Sequence, residues 1–386
     1  MQTTVPTTAP MALTTSIRPY DWGSVTALPE LLGTAPTGRP QAELWVGAHP
    51  AAPSSADGTP LGELIAADPD GMLGAPAAER FGATLPYLLK ILAVERPLSL
   101  QVHPTLAQAE AGFAAEEARG IPVDDRARSY KDPYHKPEMI CAITDFHGLC
   151  GFREPSATAD LLEGLGVAEL LPWARMLRAE PAEKALPTVL SEMLDGRVPV
   201  ASVERSLGPV HAGIARAHPG DPGILAALLL NHFTLRPGQA VFLDAGVPHC
   251  YLGGLAVEVM ANSDNILRCG LTGKHVDVPE LLRVVDFAPT TPHRVAPDAG
   301  PGGEFRYSPP VREFALVRHD LDGATHELPT GIPQALLCVK GKARIIGQDG
   351  ALSLRPGEAA FVPANASTPK LTGEGTLYRA IPGADH

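Results

Sequence analysis

The first third of the chain alternates between short apolar runs and clusters of Gly and Pro. The runs Glu43 to Gly47 and Leu98 to His103 have the length and alternation of β-strands. Between them, Pro60 to Ala67 and Pro104 to Arg119 have helical spacing. The pattern therefore predicts short strands and helices from about Ile17 to Phe152.

The apolar spacing is helical from Ser156 to about His232. Pro181 stands where a proline at the first helical position is favourable, so a helix is predicted from Ala182 to Leu194. Pro222 is predicted to open a last helix, from Gly223 to Asn231. This stretch is interpreted as an inserted helical domain.

Strand-like runs return at Phe233 and continue, with a helical patch from Leu281 to Val285. A Pro-rich linker is predicted from Ala288 to about Pro310, and short strands resume at Val311. The chain thus predicts a helical segment between two regions built mainly of strands.

An internal repeat divides the strand-rich regions into two similar units. The segment Leu235 to Phe242, LRPGQAVF, recurs as LRPGEAAF from Leu354 to Phe361. A turn, a strand and then Gly- and Pro-rich residues are typical of a cupin jelly roll, so two β-barrels are predicted. The same offset places His249 opposite Thr368. We therefore expect the second barrel to lack a metal site.

Composition narrows the class of protein. With 386 residues, 45% of them apolar, the chain can form two or three domains, and 38 Gly and 40 Pro favour many turns. A net charge of −12 argues against a nucleic-acid binder, and no apolar stretch is long enough to span a membrane. The Thr/Pro-rich segment Met1 to Pro10 is predicted to be a disordered tail rather than a signal peptide. Five cysteines without a CxxC pair favour reduced thiols and the cytoplasm.

One predicted strand carries a polar stripe. Because alternate residues of a strand share a face, Ser99, Gln101 and His103 should point the same way. Either this face lines a cavity or it is an exposed sheet edge. Lys136 and Glu138 are also two residues apart, and they form either part of the same cavity or a surface ion pair.

His249 occupies the position of the repeat where a cupin places a metal-binding histidine. A set of four candidate donors results: Gln101, His103, Glu138 and His249. Imidazole and carboxylate suit zinc, and the lack of a thiolate favours a catalytic over a structural site. The segment Glu258 to Lys274 is also rich in charged residues, and it is either a solvated loop or, with Arg268 at a loop-to-strand junction, part of the site.

At this point the chain resembles a known family, type I phosphomannose isomerase, over nearly its whole length. The matching stretches are Tyr20 to Ser24, Ala42 to Pro50, Ser99 to Pro104, Tyr130 to Glu138, and His249 to Lys274. The resemblance implies one zinc per chain on Gln101, His103, Glu138 and His249, and an active-site arginine at Arg268 with lysines at Lys136 and Lys274. This chain departs from the family pattern at Tyr134, Cys250 and Gly273.

The resemblance implies interconversion of mannose 6-phosphate and fructose 6-phosphate by proton transfer between C1 and C2 through an enediolate. Arg268 is the predicted cationic group that stabilises the enediolate or anchors the phosphate, with Lys136 beside the metal. Lys136 with a lowered pKa, Glu258 and a zinc-bound water are alternative bases, and Asp264 is the candidate for ring opening. The predicted substrate-binding residues are Ser99, Lys90, Tyr251 and Lys274.

The predicted fold is mainly β with α: two cupin-type jelly-roll barrels plus an inserted helical domain. The predicted domains are a catalytic cupin (12–153 plus 233–287), a helical domain (154–232) and a metal-free cupin (288–386). The expected partner is a small-molecule sugar phosphate, with no nucleic acid and no membrane, and the chain should be a monomer or a weak homo-oligomer. A sugar-binding regulatory cupin and a cupin metal-dependent dioxygenase are the alternative functions.

Overall fold

A computed structural model describes residues 8–348 and 350–384, so most of the predicted tail, Met1 to Pro10, lies outside the described residues. The strands are β1 (Met11–Leu13), β2 (Ser16–Arg18), β3 (Glu43–Gly47), β4 (Ser55–Ala56), β5 (Thr59–Pro60), β6 (Tyr87–Val94), β7 (Gln101–Val102), β8 (Glu138–Ala142), β9 (Phe146–Phe152), β10 (Leu230–Leu235), β11 (Ala240–Leu243), β12 (His249–Ala261), β13 (Leu267–Arg268), β14 (His293–Val295), β15 (Asp298–Ala299), β16 (Glu304–Tyr307), β17 (Ala315–Asp322), β18 (His326–Glu327), β19 (Gln334–Gly347), β20 (Gly350–Leu354), β21 (Ala359–Val362) and β22 (Lys370–Ile381).

The helices are α1 (Ala27–Leu32), α2 (Leu61–Ala67), α3 (Pro69–Leu73), α4 (Ala75–Phe81), α5 (Leu106–Ala118), α6 (Pro155–Gly164), α7 (Leu171–Ala179), α8 (Ala182–Leu194), α9 (Val200–Val203), α10 (Pro209–Ala217), α11 (Gly223–Ala227) and α12 (Val278–Val284). Short 3-10 turns occur at Ala168–Leu170, Glu204–Ser206 and Pro301–Gly303. In the described part of the chain, every helix is too short or too polar to cross a membrane.

Two large antiparallel sheets form the body of the protein, as the prediction of a mainly β fold with helices required. The first sheet runs β14-β11-β8-β12-β6-β3-β2, and β7, β9, β10 and β13 pair along its side. Strand β12 is its longest member and pairs with β6, β7, β8 and β9. Because β12 touches four neighbours, residues at its start are brought beside residues from distant parts of the chain.

The second sheet runs β1-β21-β19-β22-β17-β16-β15, with β18 on β22 and β20 on β19. Its first strand comes from the N-terminus, whereas β14, beyond residue 288, belongs to the first sheet. The predicted linker from Ala288 to Pro310 is therefore wrong as a purely irregular segment, since it contains β14, β15 and β16. The domain limits and the closure of each sheet into a barrel stay predictions.

The two copies of the sequence repeat fold alike. Each ends one strand, turns and begins the next: β10 to β11 in the first copy and β20 to β21 in the second. The glycine of each Pro-Gly pair has φ of +80° or +83°, which a residue with a Cβ adopts poorly. The Gln239 side chain accepts from the Arg236 N–H at 2.9 Å, and Glu358 accepts from the Arg355 N–H at 2.8 Å. The repeated letters therefore specify one turn, closed by the same kind of bond.

The helical segment lies between β9 and β10. Helix α8 spans the predicted residues, although Pro181 is its N-cap rather than its first residue. The predicted helix from Gly223 to Asn231 is too long: α11 ends at Ala227, and Leu230 starts β10, which pairs with β9. A continuous apolar run is compatible with helix or strand, so the pairing partner decided the outcome.

Apolar packing joins these parts. One buried cluster links the helical segment to β7 and the residues around β13, and another links the two sheets through residues such as Val257 and Leu316. Fully burying a side chain of this size contributes roughly 1.5–3 kcal/mol. Across the contact between the sheets, the Tyr87 hydroxyl donates to the Pro333 carbonyl at 3.0 Å. Both clusters include residues of the strands that carry the site described next: Val102 and Cys250 belong to the first cluster and Met139 to the second.

Candidate active site

Three strand ends meet where the predicted metal donors lie. His249 opens β12 and pairs directly with Gln101 of β7, while Glu138 opens β8. His103 follows β7 by one residue, so it shares the face of Gln101. One nitrogen of each histidine and one oxygen of Glu138 lie within 4.8 Å of one another, and all three residues are buried. The structure thus brings the four predicted donors to one place.

Backbone carbonyls orient both imidazoles. His103 Nδ1 lies 2.7 Å from the Asn265 carbonyl, and His249 Nδ1 lies 2.9 Å from the Val247 carbonyl. A neutral imidazole that donates from Nδ1 presents the lone pair of Nε2, and metal-binding histidines are commonly held this way. Both Nε2 atoms approach Glu138, at 3.3 Å from His103 and 3.6 Å from His249.

The unpaired atoms in this group fit a metal ion. His103 Nε2 and Glu138 Oε2 are buried and make no hydrogen bond to the described residues. Buried polar atoms are normally paired, so a bound cation would remove their desolvation cost. The Gln101 amide nitrogen lies 3.4 Å from His249 Nε2, and a flip of this amide would present its oxygen instead. Two imidazoles, a carboxylate and an amide oxygen suit zinc.

Electrostatics keep the donors in the forms that bind metal. Burial, helped by Lys136, lowers the pKa of His103 to about 4. Burial alone would raise the pKa of Glu138, but Lys136 and the two imidazoles hold it well below its ordinary value. The Lys136 ammonium donates to Glu138 Oε1 at 2.5 Å. A neutral imidazole and an ionised carboxylate are the ligand forms that metal binding requires.

A cavity of about 520 Å³ opens beside the donors. It is lined by ten of the twelve residues predicted from the sequence; the other two are His103 and His249 of the donor group. The lining residues among the predicted ones are Lys90, Ser99, Gln101, Lys136, Glu138, Tyr251, Glu258, Asp264, Arg268 and Lys274. Ser99 and Gln101 of the polar stripe and the Lys136/Glu138 pair therefore line a cavity, with His103 buried in the adjoining donor group, and they form neither an exposed edge nor a surface ion pair.

A buried network balances the charge of one lysine. Lys90 Nζ lies 3.0 Å from Glu258 and 3.7 Å from Glu43, and the Tyr251 hydroxyl donates to Glu258 at 3.3 Å. Burial would lower the pKa of Lys90, but these two carboxylates raise it, so the amine stays protonated. Burial raises the pKa of Glu258 above its ordinary value. A carboxyl shifted in this direction can exchange a proton nearer neutral pH.

Two other cations, Arg268 and Lys274, line the cavity, with the Asp21 carboxylate acting on Lys274. Arg268 lies on β13 and pairs through the backbone with Gln101, which fixes it beside the donor group. Burial lowers the pKa of Lys274, and the nearby Arg268 lowers it further. Among the described residues neither side chain forms an ion pair with a carboxylate. An anionic group entering the cavity would meet two positive charges that are close enough to repel each other, and the Ser99 side chain lines the same cavity.

One partner of a predicted residue was missed: His49, which pairs with Asp264, was not among the predicted site residues. His49 Nε2 lies 3.4 Å from Asp264 Oδ1, and His49 is only 2% exposed, packed edge-on against Trp45. Burial would raise the pKa of Asp264, but the bond from His49 lowers it. His49 lies within one of the stretches on which the resemblance rests, so a signal existed. No spacing pattern links it to Asp264, however, because the two residues are 215 positions apart.

The three departures from the family pattern have different surroundings. Tyr134 is 58% exposed and is not part of the cavity lining. Cys250 is buried, and its thiol donates to the Leu98 carbonyl at 3.1 Å. Gly273 lines the cavity, next to Lys274. Only the glycine, therefore, can change the shape of the cavity wall directly.

Comparisons with known proteins identify one family over nearly the whole chain. The model of the phosphomannose isomerase type I catalytic domain matches residues 11–155, and that of the mannose-6-phosphate isomerase cupin domain matches residues 306–382. Mannose-6-phosphate isomerases of Salmonella typhimurium and Escherichia coli are 40% and 39% identical, each over 95% of this chain and 98% of the relative. A mannose 6-phosphate isomerase solved with zinc and yttrium bound superposes with a TM-score of 0.90 at 38% identity, covering 97% of this chain and 100% of that one.

Proposed function

The chain belongs to the type I phosphomannose isomerase family, and from this premise we propose that it interconverts mannose 6-phosphate and fructose 6-phosphate. The proton would move between C1 and C2 through an enediolate. One observation carries the proposal: the buried donor group of His103, Glu138 and His249 adjoins a cavity that also holds the cations Arg268 and Lys274. Metal donors beside a site for an anionic sugar are the combination that this chemistry needs.

We propose one zinc ion per chain, held by Gln101, His103, Glu138 and His249. Zinc, when bound, would supply a Lewis acid for the oxygen on which negative charge develops. The support is the donor chemistry, since two donor atoms of this group are buried and unpaired. Lys136 would orient Glu138 through their 2.5 Å contact and add positive charge beside the reacting carbons.

Glu258 is the proposed base. Its carboxyl lines the cavity, and burial shifts its pKa in the direction that suits a base near neutral pH. Lys90 and Tyr251 would hold the carboxyl in place through their contacts with its two oxygens. Because the charge of Lys90 is already balanced by Glu43 and Glu258, its proposed role is to hold Glu258 rather than to bind phosphate.

The other end of the substrate would be bound by cations. Arg268 would stabilise the enediolate, and Lys274 with Ser99 would bind the phosphate. Asp264, bonded to His49 at 3.4 Å, is the proposed group for opening the sugar ring, because the pair can pass a proton between a carboxylate and an imidazole. The chain is proposed to act in the cytoplasm as a monomer or a weak homo-oligomer; its five buried free cysteines support a reducing compartment.

The test is a coupled assay for fructose 6-phosphate formed from mannose 6-phosphate by purified, zinc-loaded protein. We expect turnover that disappears in Glu138→Gln, which keeps the shape of the side chain but loses the charge of a ligand. The surface variant Glu163→Gln, in the helical segment, is the matched control and should keep full activity. Zinc-loaded wild-type protein that forms no fructose 6-phosphate would refute the proposal. Iron found in place of zinc, with oxygen consumption, would instead favour the dioxygenase alternative.

A further inference from the structure

The segment between Arg268 and Lys274 has an unfavourable backbone conformation. Leu271 has φ of +56°, in the left-handed region that is unfavourable for a residue with a side chain. Thr272, Gly273 and Lys274 follow directly and line the cavity. A conformation of this kind persists only where neighbouring groups hold it.

Asp221, from the helical segment, supplies that restraint. Its Oδ1 accepts from the Leu271 N–H at 2.9 Å, and its Oδ2 accepts from the Thr272 N–H at 2.9 Å. Oδ1 also accepts from the Gly223 N–H at 2.7 Å, so the carboxylate is itself fixed at the start of α11. Hydrogen bonds to an ionised acceptor are roughly twice as strong as those between neutral groups.

Close packing reinforces the contact. A Cβ on Gly223 would lie 2.6 Å from the Leu271 nitrogen, and a Cβ on Gly270 would lie 2.5 Å from the Gly223 Cα. Neither position can accept a side chain without moving the backbone. The helical segment thus touches this wall of the cavity through two glycines and the Asp221 carboxylate.

Residues 217 and 218, shortly before Asp221, are bonded to another segment of the cavity lining. Arg96 donates to the Ala217 carbonyl at 3.3 Å, and His218 Nε2 lies 2.9 Å from the Pro97 carbonyl. Arg96, Pro97, Ala217 and His218 all line the cavity. Residues 217–221 therefore connect two segments of the cavity lining, residues 96–97 and residues 271–272.

The positions of Arg268 and Lys274 depend to different degrees on the contacts made by residues 217–221. Arg268 is held by the pairing of β13 with β7, and the next residue, Cys269, donates to the Leu100 carbonyl at 2.7 Å. The Lys274 N–H donates to Thr272 Oγ1 at 3.1 Å, and Thr272 is in turn held by Asp221. We propose that Asp221 is a positioning residue, whose carboxylate fixes residues 271–274 so that Lys274 binds the phosphate of the substrate.

This inference rests on the proposed function for the identity of the substrate, and its test separates the two. Steady-state kinetics would compare wild type, Asp221→Asn and Asp221→Ala, with zinc measured in the same samples. Asp221→Asn keeps one acceptor oxygen but offers an NH₂ group to the second backbone amide. Its KM should therefore lie between the KM values of wild type and Asp221→Ala. Asp160→Ala, which removes a carboxylate bonded to the surface Arg178, is the control.

For Asp221→Ala we expect KM to rise about tenfold, because a displaced Lys274 would lose one charge-assisted hydrogen bond to the phosphate. The values of kcat and of the zinc content should change little. The binding of inorganic phosphate to the zinc-loaded protein, measured by calorimetry, should weaken by the same factor. A purely structural role would lower the melting temperature and leave KM and phosphate affinity as in wild type, and this result would overturn the inference. If wild type fails to isomerise the sugar but Asp221→Ala still loses phosphate affinity, the proposed function fails and the positioning role stands.

Discussion

Kinetic measurements on variants of Arg268 can distinguish a role in substrate binding from a role in the chemical step. It is half-buried, faces the cavity and is not one of the proposed metal ligands. Burial lowers its pKa, but a guanidinium stays charged in proteins. In Arg268→Ala the pairing of β13 with β7 uses backbone atoms only, so the fold and the zinc content should be preserved.

The expected changes in kcat and KM depend on the role of Arg268. If the guanidinium stabilises the enediolate, its loss should lower kcat by about 10²–10³, or roughly 2.7–4 kcal/mol of barrier, with little change in KM. If it mainly binds the ground-state phosphate, KM should rise while kcat is kept. Arg268→Lys keeps the charge but loses the planar set of donors, so it should recover little activity.

The assay is steady-state kinetics on both variants, with zinc quantified in each sample. Arg283→Ala, which removes an exposed arginine paired with Glu280, is the matched control and should behave as wild type. Kinetics close to wild type in zinc-replete Arg268→Ala would remove Arg268 from the mechanism. The cationic role would then fall to Lys136 or Lys274.

Three further predictions concern the metal and the pH. Chelation should abolish isomerase activity and zinc restore it, and His249→Ala should lower the zinc content; full activity in metal-stripped protein would refute the zinc site. Because the exposed Thr368 stands where His249 stands in the first repeat, elemental analysis should find one tightly held zinc per chain, and a second one mapped beyond Val311 would contradict this. Burial, with Arg379, lowers the pKa of His319 to about 3, so between this value and its ordinary 6.5 the unfolded chain binds a proton that the folded chain does not. The free energy of unfolding should therefore fall as the pH falls through that window, by at most about 1.4 kcal/mol per pH unit. In His319→Asn, the free energy of unfolding measured by urea denaturation should depend less steeply on pH.

Local sequence determined the elements whose partners lie nearby or whose turn chemistry is explicit. β3 spans the predicted Glu43 to Gly47, and α5 begins at the capping box of Thr105 and Gln108, inside the predicted Pro104 to Arg119. The repeated Pro-Gly turn specified the same strand–turn–strand unit twice. The four proposed metal donors could also be selected from the sequence, because alternate positions on a strand share a face and because His249 stands at a marked position of the repeat.

Tertiary structure decided what depends on residues far apart in the chain. The apolar run after Ala227 became a strand because β9 offered it a hydrogen-bonding partner, and part of the Pro-rich linker became β14 because the edge of β11 was open to it. The His49–Asp264 pair and the bonds from Asp221 to residues 271 and 272 leave no periodic trace in the sequence. A hydrogen bond is specified by position in space, and only the folded sheets and the helical segment bring these groups within reach of each other.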